Sequence, residues 1–201
     1  LAAETGHHFS AFSAVTSGVA EIRGIIEEAR HRRRFEDQGT VLFVCHGNIC
    51  RSPYAAAVAR RLLPAGVAVE SAGFIGPDRP SPPEAIAVAG ERGLDLAPHR
   101  SQVIELEHVR EVDLVIVMDS RQRHRLVSSM PELGGRVVLL GDLDPEPITR
   151  RTVIDPVEQP AEAFRTCYDR IDRCVGALAE SLVAAVHQNL REKCEPRANR
   201  G

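Results

Sequence analysis

In the run Cys45-His46-Gly47-Asn48-Ile49-Cys50-Arg51-Ser52-Pro53 a thiol, an arginine six positions on and a neighbouring hydroxyl stand together. The run lies between an apolar stretch, 41–44, and a helix-forming stretch, 54–63. A strand that ends on a cysteine and closes through a short loop onto a helix N-terminus makes an anion site. Unpaired backbone N–H groups and the positive end of the helix dipole converge there. A cysteine in such a cradle is favoured as thiolate. The planar fork of Arg51 can curl back and grip two oxygens of a phosphate. Sulfur beneath a bound phosphoryl group is an arrangement for nucleophilic displacement at phosphorus.

Each loop residue has a chemical use. Cys45 is the candidate nucleophile, able to form a phosphocysteine. Arg51 holds phosphoryl oxygens and stabilises transition-state charge. Ser52 can donate its hydroxyl to the Cys45 sulfur. Gly47 can take positive φ and admits a close approach of backbone to ligand. Asn48 also tolerates the left-handed region, and its amide can tie the loop to neighbouring segments.

The elements that position this loop alternate strand and helix from Thr40 onward. The pattern predicts strands over 41–44, 67–71, 113–118 and 137–140. It predicts helices over 54–63, 82–92 (stopped by Gly93), 101–107, 120–128 and 161–189. Strands separated by helices argue for a parallel sheet covered on both faces, with right-handed crossovers. Functional groups then belong at the carboxyl ends of the strands, where Cys45 and Asp119 fall. Residues 1–39 differ. The first part is small and polar, and Val19, Ile22, Ile25, Ile26 and Ala29 recur at helical spacing, so an amphipathic helix is expected over about 18–35. The domain expected over 40–190 is followed by a disordered tail, 191–201. The basic run His31-Arg32-Arg33-Arg34 reads as a solvated helix end, with a contact to anionic lipid or an acidic partner as the alternative.

The chain has 201 residues, an apolar content of 43%, a formal charge of -3 and a pI near 6.3. That suits one well-cored domain and gives no global pull toward nucleic acid or acidic membranes. No apolar run is long enough to span a bilayer, and no secretory signal pattern is evident. Five scattered cysteines argue against a disulfide framework, and none sits at zinc-finger spacing, so structural zinc is not expected. A reducing cytoplasmic compartment is the expectation.

Beyond the loop, several motifs stand in order. They are Ser71-Ala72-Gly73, Gly93-Leu94-Asp95-Leu96 with His99, the run Asp113 to Asp119, Leu140-Gly141-Asp142-Leu143-Asp144-Pro145, and Ile154-Asp155-Pro156. From about Thr40 to His187 the chain resembles the low-molecular-weight protein tyrosine phosphatases. The resemblance implies a flavodoxin-like four-stranded parallel sheet and a metal-free and cofactor-free, two-step hydrolysis of phosphotyrosine or aryl phosphate monoesters. It implies Cys45 as nucleophile, Arg51 as the phosphate-binding arginine and Asp155 as general acid. Residues His46, Gly47, Asn48, Ile49, Cys50, Arg51 and Ser52 would form the phosphate loop. Asn48, Ser52, Ser71 and His99 would support it through hydrogen bonds. Cys50 corresponds to a second loop cysteine that can form a protective disulfide with Cys45. A general acid is also a chemical need, because the leaving oxygen must be protonated and the attacking water deprotonated.

The chain departs from the family at the mouth. An aromatic residue usually follows Asp-Pro, and here stands Val157. The rim is expected from His46, Ile49, Val157 and either Phe74 or Ile75, which weakens or redirects selectivity for aryl groups. Two alternatives share the features. A thioredoxin-coupled arsenate reductase would need relay cysteines; Cys167 and Cys174 have a seven-residue spacing but fall in the last helix. A non-catalytic phosphate-binding module would need neither thiolate nor acid.

Overall fold

The computed structural model describes residues 39–194 apart from residue 148. The helix expected over 18–35 lies outside them, as do residues 195–201. Four strands, β1 (Gly39–Cys45), β2 (Val67–Gly73), β3 (Leu114–Val117) and β4 (Val137–Leu139), form an all-parallel sheet in the order β2-β1-β3-β4. The helices are α1 (Arg51–Leu62), α2 (Pro83–Glu91), α3 (Leu106–Glu111), α4 (Ser120–Ser129) and α5 (Ala161–Cys194). Short 3-10 turns cover Pro131–Arg136 and Leu140–Leu143.

The period-two alternation of β1 sorts its side chains onto two faces. Val41, Phe43 and Cys45 point into a core shared with α1, α2 and α5, while Leu42 and Val44 point into a second core with α3 and α4. In β3 the residues Leu114 to Val117 are all buried, as expected of a central parallel strand covered on both faces. The sheet order changes direction at β1, so the crevice at the carboxyl end of β1 is the topological switch point where ligands of open α/β sheets sit. Cys45 is its last residue.

α1 and α5 are joined through aromatic rings. Tyr54 and Tyr168 stack with centroids 3.6 Å apart, and Phe164 meets Tyr168 edge-on at 6.1 Å. The Tyr54 hydroxyl donates to Asp172 Oδ1 at 2.8 Å. α5 extends to Cys194, into the stretch expected as tail.

The expected helix over 101–107 is displaced. Helical turns begin only at Leu106, and the preceding residues are extended. Val103 bridges Gly73 in parallel register, and the Gly73 N–H donates to the Gln102 carbonyl at 2.8 Å. Main-chain pairing to the end of β2 outcompetes helix formation there. α1 starts earlier than expected, at Arg51, which brings the arginine itself into its first turn. Among the described residues no helix is long and apolar enough to cross a membrane.

Candidate active site

The phosphate-loop candidate runs from Cys45 to the first turn of α1. The helix has no side-chain cap at Cys50 and no acidic residue in its first turn. Its first N–H groups therefore lack a local acceptor and its dipole is not offset there. α4 provides the contrast, because Asp119 caps it by accepting from the Gln122 N–H at 2.8 Å. Asp119, the other strand-end group noted in the sequence, is thus a helix cap.

Two donors converge on the Cys45 sulfur. The Asn48 N–H lies 3.2 Å and the Ser52 hydroxyl 3.1 Å from Sγ. Asn48, not Gly47, adopts the left-handed conformation, with φ 51°, which corrects the expectation for the glycine. Gly47 is small for a different reason: a Cβ there would meet the Arg79 guanidinium at 2.8 Å. Gly73 likewise lies under the loop, where a Cβ would stand 2.7 Å from the Asn48 nitrogen.

Asn48 is fully buried and organises the support. Its Nδ2 donates to Ser52 Oγ at 2.9 Å and to Ser71 Oγ at 3.0 Å, and its Oδ1 accepts from the Gln102 N–H at 2.8 Å. Its carbonyl accepts from His99 Nε2 at 2.7 Å, which places the ring proton on Nε2. Burial lowers the His99 pKa, against the partial opposition of this bond. The structure therefore brings together Asn48, Ser52, Ser71 and His99. Gln102, the main chain of Ala72 (which accepts from Ser52 Oγ at 3.3 Å) and Arg79 join them unannounced by any sequence pattern.

Arg51 is 3% exposed. Its Nη1 donates to the Val153 carbonyl at 3.0 Å and its Nη2 forms an ion pair with Asp155 Oδ2. Its Nε is buried without a partner among the described residues. Such a donor, in a residue so enclosed, is costly unless an acceptor arrives.

Asp155 sits in the segment before α5, which several bonds fasten. The Val153 N–H donates to the Met118 carbonyl at the end of β3, at 2.9 Å. From α5, Arg170 donates to Thr152 O at 2.8 Å, to Arg150 O and to Asp144 Oδ2 at 2.9 Å, while Arg173 reaches Asp144 Oδ1 at 3.1 Å. Burial pushes the Asp144 carboxyl up, but bonds from Arg173, the Glu146 N–H and Arg170 outweigh it and hold it below the usual range. Asp155 Oδ1 accepts from the Val157 N–H at 3.3 Å in an Asx-type turn.

Of the two rim candidates that follow β2, the structure exposes Ile75 and covers Phe74. Phe74 is buried in the second core with the Arg125 guanidinium over its ring at 4.5 Å, so its face is already covered. Ile75 is exposed instead, as is Ile154 beside Asp155. Ile49 and Val157 pack against the first core, and His46 is exposed while its carbonyl accepts from the Phe74 N–H at 2.8 Å. Both tyrosines are fully buried between α1 and α5.

Cys50 is buried, and burial, with Asp155 and Cys45 nearby, pushes its thiol well above the ordinary range. Cys167 and Cys174 are also buried, and burial pushes each up to about 12. Neither is a surface thiolate of the kind a disulfide relay uses. No group of three or more His, Cys, Asp or Glu side chains converges as a metal set among the described residues.

Comparison with known proteins follows the same lines. The model of the low molecular weight phosphotyrosine protein phosphatase family matches residues 40–190. A probable low molecular weight protein-tyrosine-phosphatase, EpsP of Ralstonia nicotianae, is 39% identical over 140 residues, covering 69% of this chain and 92% of the relative. Among solved structures, Vibrio vulnificus Wzb in complex with benzylphosphonate superposes with TM-score 0.65 at 34% identity, covering 72% of this chain and 99% of that one. The YwlE arginine phosphatase from Geobacillus stearothermophilus superposes with TM-score 0.67 at 29% identity, covering 80% and 99%.

Proposed function

The chain belongs to the low-molecular-weight protein tyrosine phosphatase family, and on that premise we propose how its own residues hydrolyse a phosphate monoester. It is a protein tyrosine phosphatase. The substrate is a phosphotyrosine protein or an aryl phosphate, bound with its phosphoryl oxygens against the loop N–H groups of 46–52 and the Arg51 guanidinium. The Cys45 thiolate attacks phosphorus, the P–O ester bond breaks, and Asp155 in its acid form gives its proton to the departing oxygen. A phosphocysteine remains. Asp155, now a carboxylate, takes a proton from water as the water oxygen attacks phosphorus. The S–P bond breaks, inorganic phosphate leaves, and thiolate and acid are restored. Arg51 and the loop amides bear the charge on the equatorial oxygens in both transition states.

One observation carries this reading. The Cys45 sulfur accepts from the Asn48 N–H and the Ser52 hydroxyl, beside a buried arginine with an unspent Nε donor. Those two bonds stabilise the anion in the free enzyme and as leaving group in the second step. Pure phosphate binding would use the arginine and the amides but not the sulfur-directed donors.

The Cys45–Cys50 pair supports a reversible response to peroxide. Oxidation of the Cys45 thiolate gives a sulfenic acid, the Cys50 thiol displaces hydroxide from it, and a disulfide and water result. A reducing compartment such as the cytoplasm suits an enzyme that depends on this thiolate, and Cys45, Cys50, Cys167 and Cys174 are all free thiols.

The test is a leaving-group series of aryl phosphates with wild type, Cys45→Ser and Asp155→Asn. Cys45→Ser is expected to abolish turnover. Asp155→Asn is expected to slow hydrolysis most for the poorest leaving groups. Equal slowing across the series would remove Asp155 from the acid role, and turnover by Cys45→Ser would remove the phosphocysteine.

A further inference from the structure

The segment after β2 folds back over the phosphate loop and ends at Arg79, a residue the mechanism above does not use. Its guanidinium is held by three main-chain carbonyls: Nε donates to Gly76 O at 3.0 Å, and Nη2 donates to Ile75 O at 2.9 Å and Gly47 O at 2.8 Å. Its backbone is fixed from the other side, because its N–H donates to Ser101 Oγ at 2.9 Å and its carbonyl accepts from the Ser101 N–H at 2.9 Å. Gly76 has φ 64°, and any side chain there would collide with the Arg79 guanidinium. Arg79 forms no ion pair with a described carboxylate, so its charge is directed at carbonyl oxygens.

The Gly47 carbonyl and the Asn48 N–H belong to one peptide group. Arg79 binds the oxygen end of that group, and the nitrogen end donates to the Cys45 sulfur at 3.2 Å. A cation on the carbonyl polarises the amide and strengthens its N–H as a donor. It also fixes the plane of the peptide, so that the N–H stays aimed at sulfur through the left-handed turn at Asn48. We propose that Arg79 is a positioning residue for the nucleophile, acting through the Gly47–Asn48 peptide to stabilise the Cys45 thiolate without touching either sulfur or substrate. The inference rests on Cys45 being the thiolate nucleophile.

The other groups facing Cys45 are Arg51 and Ser52 on α1, Cys50 at the head of that helix, and Asp155 in the segment before α5. Cys167 and Tyr168 face it from α5, and His99 reaches it through the Asn48 carbonyl. A substitution at Arg79 replaces none of them, and because Arg79→Gln also removes a charge near the loop, the shift in Arg79→Lys, which keeps the charge but loses carbonyl contacts, is the part that reports on the peptide link.

The experiment follows the rate of Cys45 alkylation by iodoacetamide against pH, read by mass spectrometry of the Cys45 peptide, in wild type, Arg79→Gln and Arg79→Lys. The same samples give thermal midpoints and kcat/KM for an aryl phosphate against pH. Arg79→Gln should raise the alkylation midpoint, and the acid limb of kcat/KM with it, by about half a pH unit or more. Arg79→Lys should fall between, because an ammonium keeps the charge but cannot span three carbonyls. An unmoved midpoint in folded variants overturns the proposal, as does a rate that falls equally at every pH, the mark of a merely structural tie. If only Arg79→Lys folds, an unmoved midpoint in that variant overturns it. A wild-type Cys45 that titrates as an ordinary thiol overturns the thiolate reading itself, and the inference with it.

Discussion

Asn48→Ala is the substitution with the most informative ledger. The side chain is fully buried and makes three hydrogen bonds, to Ser52 Oγ, Ser71 Oγ and the Gln102 N–H. At about 1 kcal/mol net each, their loss comes to about 3 kcal/mol, with the Gln102 N–H left without its acceptor. Alanine must then hold φ near 51°, which adds about 1 kcal/mol. The total is about 4 kcal/mol, a large part of a stability on the order of 5–15 kcal/mol. With a urea m value of about 2 kcal/mol/M, the unfolding midpoint drops by about 2 M. Asn48→Gly isolates the backbone share. It loses the same three bonds but occupies the left-handed region without penalty, so it should be about 1 kcal/mol more stable than Asn48→Ala, reversing the usual order of the two residues. Urea unfolding followed by circular dichroism reads all three proteins. A loss under about 1 kcal/mol for Asn48→Ala, or glycine less stable than alanine, would refute the reasoning that Asn48 is the keystone of the loop.

Arg170→Ala unties Thr152 and Arg150 from α5 and leaves Asp144 held there by Arg173 alone, loosening the segment that carries Asp155. It should lower kcat roughly 10- to 100-fold with little change in KM, and the added cost of Asp155→Asn should shrink in its background; full additivity of the two would count against the coupling. His99 has its pKa lowered by burial, so the folded state resists its protonation. Its stabilising contribution is complete above the unfolded value of about 6.5 and is lost as pH falls from there toward the folded value. Wild type should therefore lose stability between pH 7.5 and pH 5, and His99→Gln should lose less over that interval; a parallel decline would assign the acid sensitivity elsewhere.

The strands and the nucleophile loop were readable because their signals are local. Val41–Val44 and Val115–Val117 are short apolar runs rich in β-branched residues, and the loop packs thiol, arginine and hydroxyl into nine residues. What could not be read depends on contacts distant in sequence. The extended conformation of residues 101–105 is imposed by pairing with Gly73, against a sequence that suits helix. Phe74 looks like a rim residue by position, yet the phase of β2 and Arg125 from α4 put it under cover. Gln102 joins the loop network through its backbone N–H, which carries no trace of side-chain identity. Arg79 and Arg170 each bind main-chain carbonyls, and a carbonyl is present at every position, so no spacing rule announces them.

The stacked rings of Tyr54 and Tyr168 have a bearing on biosynthesis. Tyr54 lies one turn into the helix that heads the phosphate loop, and its ring partner lies more than a hundred positions downstream. A ribosome delivers the loop early and the partner late. The nascent protein therefore carries its reactive thiol exposed until the helix that seats it has been made and can dock, and hydrolytic competence should switch on abruptly once that helix emerges rather than grow with chain length.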